Sequence, residues 1–431
     1  VHIKQFYVVL ILSLIIRELF APWTGHPWDF ELFVRLGPYI LEGHNPYSII
    51  PYNPKVSFWY YYGQENMTSI AYPPLYAYYS AFSYFLYSLL QINDRYLYYF
   101  ILKQPLVISD VFIGYFIYNY HRNNSKLATL LSYSWLLNPY TILFSSIWGL
   151  PHTISILFLV LVIKNYNKGI SLLYVLISSA FSGLPIIYFL PFFLYQLKRN
   201  RIRHLIYLFI GAFIITLALL LPVVFLNWDL YNIYNALSSA FFKFDYGRFT
   251  YWFFITYLYE LNFNFSASLY YIANFFAPYL WVIFTFSLPI LWFRYSKINE
   301  DFRNIISCCL ATTAIFLLTR NSVNEQYLLY FFIFFIFFIF FYKYADNRYL
   351  RLLFLVYINV WIFILFNNTF LLRFFTPVNP YFYVWDIMIN SSYPFMIIRE
   401  TIVLITGTLN AFFMFKILSY LRVNLKIDFI K

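Results

Sequence analysis

A chain of 431 residues that is 62% hydrophobic, 26% aromatic and only 11% charged departs from a soluble domain in every measure of composition. Its net charge of +12 is spread over short loops between apolar runs, not gathered on one basic face or arm, which argues against a nucleic-acid partner and for cations that set topology. The two cysteines, Cys308 and Cys309, are adjacent within one apolar run, so they supply neither a disulfide framework nor a zinc site.

The apolar runs are about 17 to 27 residues long, each able to cross a ~30 Å hydrocarbon layer as a helix, and no ten-residue alternation suggests a membrane barrel. The expected fold class is an all-α polytopic membrane protein. The first span covers about residues 6–23. Its start resembles a signal peptide, but Arg17 and Glu18 interrupt it and no small-residue cleavage site follows, so it reads as a retained span. Each of those two charges costs about 2.5 to 3.5 kcal/mol at the bilayer centre, which places them at the outer end or against protein.

Whether 72–90 crosses the membrane decides the side of every later loop. Left as a re-entrant or surface helix, it keeps Arg122, Lys126, Lys164 and Lys168 in the cytoplasm, as the positive-inside tendency prefers. Spans then fall near 96–119, 127–147, 150–163, a pair of short helices around Gly183-Leu184-Pro185, and 205–227. After a long second external segment, five more follow near 267–293, 303–319, 326–342, 349–370 and 394–417. Parity closes at about twelve spans with both termini cytoplasmic. The simplest division is a module of residues 1–266, with external loops 24–95 and 228–265, followed by a variable C-terminal half, 267–431.

Scarce charges mark where chemistry could lie. Glu31 and Arg35 are one helical turn apart, so Glu31 is expected to be paired. Asp29 has no cation four residues ahead and is the freer carboxylate, its role open between helix N-cap and catalytic base. Lys103 and Asp110 share a helix face but stand about 10.5 Å apart along it, too far to pair directly. A polar cavity is the expected reason; separate partners on other helices are the alternative. The external cations Arg248 and Arg320 sit among aromatics, suited to a lipid phosphate or to interfacial anchoring. Polar helix ends at 138–152, at Gly183-Leu184-Pro185 and at 320–327 fall on the same face as Asp29. A lone His152 in that set reads more simply as a structural hydrogen-bonding residue.

Several of these pieces occur together in one family. An acid after the first span, the Gly43-His44-Asn45-Pro46-Tyr47 turn, Tyr72-Pro73-Pro74-Leu75, Lys103 with Asp110, Asn138-Pro139 with the following Trp148-Gly149, and Glu325-Gln326-Tyr327 resemble the GT-C superfamily of membrane glycosyltransferases. The nearest branches are the archaeal and bacterial polyprenyl-phosphate-mannose-dependent mannosyltransferases and, more distantly, the catalytic subunit of GPI mannosyltransferase I. The resemblance covers about residues 6–330 and rests on order and spacing rather than on any one motif.

It implies a GT-C bundle with a long first external loop, Asp29 as catalytic acid–base residue, and a cavity lined by Lys103, Asp110, Trp148, Gly149, Gln326 and Tyr327, with His152 expected to line it where relatives carry an acid. It also implies inversion at the anomeric carbon and no metal or other cofactor. Two departures stand out. Many relatives have W-G-Q-x-D where this chain has Trp148-Gly149-Leu150-Pro151-His152, and a Lys common before the paired short helices is missing.

The expected activity is transfer of a hexose, mannose foremost, from a polyprenyl-phosphate donor to a glycan or glycolipid acceptor on the external face of the cell membrane. Arg248 and Arg320, with Lys103 deeper, are the expected holders of the donor phosphate. Membrane lipids are partners; nucleic acid is not. The competing classes are a lipid-linked glycan flippase or transporter, and an oligosaccharyltransferase or ligase of related fold.

Overall fold

The computed structural model describes residues 2–58, 66–67, 70–120, 125–199, 202–242, 250, 252, 255, 258–259, 266–295, 301–320, 323–341 and 347–425. Arg122 and Arg248 lie outside the described residues. Among the described residues the regular structure is helical apart from one antiparallel ladder of Ile50–Pro51 with Asn66–Met67.

In chain order, α1 is His2–Phe20 and α2 is Asp29–Leu41, an amphipathic helix in the segment after α1. Then come α3, Pro74–Leu89, and α4, Arg95–Tyr120. At 16 residues α3 is shorter than the ~20 a perpendicular crossing needs, and it packs on α2, α4 and a later helix, α8.

The expected 127–147 span is instead broken. α5, Ser125–Leu136, stops before Asn138, whose side chain caps the next turn by accepting from the Tyr140 N–H at 3.0 Å. Pro139 opens the short α6, Pro139–Ile142, which runs into a π-helical turn at Leu143–Trp148. α7, His152–Lys164, and α8, Ile170–Ser182, have 13 residues each. Gly183, at φ +74°, ends α8 before a 3₁₀ turn, Leu184–Tyr188, and α9, Phe189–Lys198.

α10, Ile202–Phe225, is followed by α11, Leu230–Phe242. α12, Ser266–Tyr295, and α13, Asp301–Thr319, lead to a 3₁₀ turn, Glu325–Tyr327, and α14, Leu328–Phe341. α15, Asn347–Asn367, a 3₁₀ turn at Thr369–Phe375, α16, Tyr381–Ser391, and α17, Tyr393–Leu425, complete the chain.

Among the described residues 6 helices are long and apolar enough to cross a membrane: α4, α10, α12, α13, α15 and α17. Against the expected count of twelve, the remaining apolar segments are shorter or broken, and α1 carries Lys4, Arg17 and Glu18. α14, with the sequence LLYFFIFFIFFIFF, is apolar all round and is enclosed by the bundle, as such a helix must be. α10 turns Phe209, Phe213, Val224 and Phe225 outward, the surface expected of a lipid-facing helix. One continuous apolar core runs from Phe30 and Trp148 through α13 and α14 to Phe374, so residues before and after position 266 share a single packing unit.

Candidate active site

Asp29 is the first residue of α2, and it is not the cap. His26 takes that role: its Nδ1 accepts from the backbone N–H groups of Trp28 and Asp29 at 3.4 and 3.3 Å, groups that open the helix and have no partner within it. Accepting at Nδ1 puts the imidazole proton on Nε2. The 3.4 Å approach of Nδ1 to the Asp29 Oδ2 is therefore not an ion pair. Burial, and secondarily the Arg373 guanidinium, hold the His26 pKa well below its ordinary value. With the helix start served by His26, the Asp29 carboxylate takes no part in capping the helix.

The donor that does reach Asp29 is the Trp148 indole, Nε1 to Oδ2 at 2.8 Å. The π-helical turn brings it there, and Gly149 stops that turn at φ +83°, a conformation in which a side chain is strained. Space forbids one as well, since a Cβ on Gly149 would lie 2.8 Å from the Phe30 ring and 2.9 Å from Lys103 Cε. The indole stacks on the His26 ring at 4.5 Å and on Phe144 at 5.2 Å, so its orientation is set from both sides. Asp29 keeps 40% of its side-chain surface accessible. Burial nonetheless pushes its carboxyl pKa up, and the Trp148 hydrogen bond and the Arg373 charge oppose that rise.

Arg373 was not among the expected site residues. It sits on the 3₁₀ turn after α15, whose neighbour Phe374 accepts from the Gly25 N–H at 2.8 Å and packs its ring on those of His26 and Trp148. Its guanidinium meets Asp386 of α16 at 3.0 Å and remains 18% exposed. Together with Trp28, Asn324, Glu325, Tyr383 and Arg399, among others, the pair lines a cavity of ≈ 530 Å³. The Trp28 indole donates to the Tyr383 hydroxyl at 2.9 Å, closing the wall next to Asp29. Arg399 donates to Asn390 at 2.8 Å and pairs with Glu400. Burial pushes the Glu325 carboxyl up, a rise that Asn368 and Arg373 oppose and the Asp29 charge supports. The cavity thus offers two arginines, each paired with an acid, together with Glu325, amides and aromatic walls, and Asp29 follows its wall residue Trp28 in the chain.

The expected cavity residues divide. Trp148 and Gly149 build the Asp29 contact directly. Lys103 does not face the open cavity: its ammonium donates to the carbonyls of Thr24, Ser146 and Ile147 at 2.5, 2.7 and 3.2 Å and lies 4.3 Å over the Phe30 ring. It clamps the first external loop to the π-helical turn. Asp110 is sealed, accepting from Arg17 Nε and Trp135 Nε1 at 2.7 Å each and from Ser145 at 2.9 Å. Their common face is therefore explained by separate partners and not by a shared polar cavity. Arg17 faces protein, as its cost in lipid requires, and Glu18 accepts from Gln104 at 2.7 Å.

Arg320 is buried, with the rings of Trp281, Phe316 and Tyr327 at 5.2 to 5.4 Å in a cation–π nest, and it is not among the residues that line the cavity. His152 bonds through Nδ1 to the Tyr330 hydroxyl at 2.9 Å, and its ring lies 6.2 Å from that of Tyr327. Gln326 is buried beside Glu325. Glu31 and Arg35 pair at 2.7 Å, and Glu31 also accepts from the Phe58 N–H at 3.0 Å, which confirms it as a structural acid. Among the described residues no group of three His, Cys, Asp or Glu side chains is placed to hold a metal ion.

The signal that could have pointed to Arg373 is one already used for Arg248 and Arg320, a cation in an external aromatic segment, here Leu371-Leu372-Arg373-Phe374-Phe375. No protein-family model matches the chain, and no curated protein matches it.

Proposed function

We propose that the chain is a membrane glycosyltransferase that moves a hexose, mannose foremost, from a polyprenyl-phosphate donor to a hydroxyl of a glycan or glycolipid. The observation that carries this reading is an accessible aspartate that accepts an indole hydrogen bond and follows Trp28, a wall residue of a cavity with two arginines, one of which, Arg373, acts on it electrostatically. Asp29 takes the proton of the acceptor hydroxyl as its oxygen bonds to the anomeric carbon; the carbon–oxygen bond to the phosphate breaks, and polyprenyl phosphate leaves with the electron pair. A phosphate is a weakly basic leaving group, so held positive charge suffices in place of a general acid. Arg373 and Arg399 are our candidates for that charge, ahead of Arg320 and Lys103, which are not among the residues that line the cavity. A carboxyl with a raised pKa is also a better proton acceptor once ionised.

A GT-C architecture accords with this assignment. Twelve crossings follow if α1, the broken 125–148 segment and the four shorter apolar segments are counted with the six long helices. The termini are then cytoplasmic and the cavity external, at the cell membrane.

The test is an assay in proteoliposomes with radiolabelled polyprenyl-phosphate-mannose, comparing wild type with Asp29→Asn at matched protein levels. Transfer by wild type and its loss in the variant are expected. Full activity in the variant removes the base assignment; translocation of the donor without transfer makes the protein a flippase.

A further inference from the structure

Two sealed polar atoms near Asp29 have no hydrogen-bond partner among the described residues: the Tyr76 hydroxyl and Nε2 of His152. Their side chains are 0% and 1% exposed. A buried polar atom without a partner needs a reason, and although others occur among the described residues, such as Tyr98 Oη and Ser307 Oγ, these two flank a common side chain. Choice of tautomer does not help His152. Its Nδ1 is engaged by Tyr330, so Nε2 remains either an unused donor or an unused acceptor. The surroundings are otherwise well served. Tyr330 bonds to Ser182 at 2.6 Å, Ser182 to Ser155 at 2.8 Å and Ser155 to Ser178 at 2.9 Å.

Both orphaned groups flank one side chain. The Tyr72 ring centre lies 5.6 Å from that of Tyr76 and 6.0 Å from that of His152. Its phenol is within electrostatic reach of Asp29, Tyr327 and Tyr330. Tyr72 is half-buried and belongs to the loop entering α3, while Pro73 and Pro74 stiffen the chain just after it. Its carbonyl is held by the Tyr47 hydroxyl at 2.9 Å, so the backbone can stay in place as the side chain rotates.

We propose that Tyr72 is the removable plug of an acceptor-sugar subsite lined by Asp29, Tyr76, His152 and Tyr327. The incoming hexose replaces the phenol, one six-membered ring for another. Its hydroxyls pair with the Tyr76 hydroxyl and His152 Nε2, and a further hydroxyl is set against Asp29. The aromatic walls of Tyr76, Tyr327 and Phe33 suit the apolar faces of a sugar ring. The identity of the guest rests on the glycosyl-transfer reading; the existence of the plugged pocket does not.

The pocket is tested by diethylpyrocarbonate labelling of the full-length protein in detergent, read by peptide mass spectrometry, with the exposed His44 as internal standard. Tyr72→Ala and Tyr72→Val are each expected to speed His152 labelling about tenfold relative to His44, the change produced by a tenfold shift of a closed–open equilibrium. Saturating methyl α-mannoside, methyl α-glucoside or methyl α-galactoside should slow it again in at least one case. The same protection, measured over longer exposure, applies to the wild type, so a folding defect in the variants leaves the proposal testable. If His152 stays unlabelled in both variants while His44 reacts normally, the plug is overturned. If His152 reacts and no hexoside protects it, the sugar subsite is overturned. Neither result depends on transfer, which the Asp29→Asn assay decides separately.

Discussion

Asp29 and Asp110 each accept a hydrogen bond from an indole, Trp148 at 2.8 Å and Trp135 at 2.7 Å, yet only one of them is placed to do chemistry. Asp110 also takes Arg17 and Ser145 and is 0% exposed, so its acceptor capacity is consumed by the join between α1, α4 and the π-helical turn. Among the described residues the indole is the one close donor to the Asp29 carboxylate, which lies beside an imidazole nitrogen that cannot donate and keeps 40% of its side chain accessible. Spare acceptor capacity, rather than depth or proximity to aromatics, is what distinguishes a poised carboxylate from a structural one. The same contrast separates Arg373, paired but still facing a cavity, from Arg17, paired and enclosed.

The largest effect that tests this contrast is on activity. Asp29→Asn should lower transfer by roughly 10² to 10⁴-fold, the range lost with a general base, while the thermal midpoint hardly moves because the side chain is partly exposed. Asp110→Asn should do the reverse. It leaves the Arg17 guanidinium buried without its counter-charge, a loss of about 3 to 5 kcal/mol, measurable as a fall in the denaturation midpoint with activity per folded molecule retained. If Asp110→Asn folds normally and abolishes turnover, the two aspartates have been assigned the wrong way round.

The next effect concerns the donor. Arg373→Gln should raise KM for polyprenyl-phosphate-mannose by about 10 to 100-fold, as expected for losing a charge-assisted contact. Arg320→Gln, inside its aromatic nest, should leave KM unchanged. Equal effects of the two would show that the phosphate does not use the cavity.

The helical class and the position of Asp29 after the first span were both legible in the sequence, as was the turn spacing that ties Glu31 to Arg35. Trp148-Gly149 was visible as part of a polar helix end and through the family resemblance, not from any local spacing rule. What a helix face packs against is not written in its own spacing. Lys103 and Asp110 share a face by geometry, but α1, the first external loop and the π-helical turn decide that both are occupied. The Arg373–Asp386 pair was hidden for a related reason. A 3₁₀ turn and a short helix joined through Pro377 and Pro380 have no periodic register that predicts which charges meet. His26 as cap was missed because capping was sought from Asp, and the imidazole supplied the acceptor instead.

The smallest expected effect is the most discriminating. Asp29 must be ionised to accept a proton, so activity is present above its folded-state pKa and lost as pH falls through it. Burial sets that pKa above the ordinary carboxylate value, and the Trp148 hydrogen bond holds it back from rising further. Removing the donor with Trp148→Phe favours the neutral carboxyl, so the acidic limb of the rate profile should move to higher pH. Trp135→Phe removes an equivalent indole hydrogen bond, but from Asp110, and should leave the limb where it is while lowering stability. A limb that moves in both variants, or in neither, would mean that the titrating group is not the carboxylate that Trp148 holds.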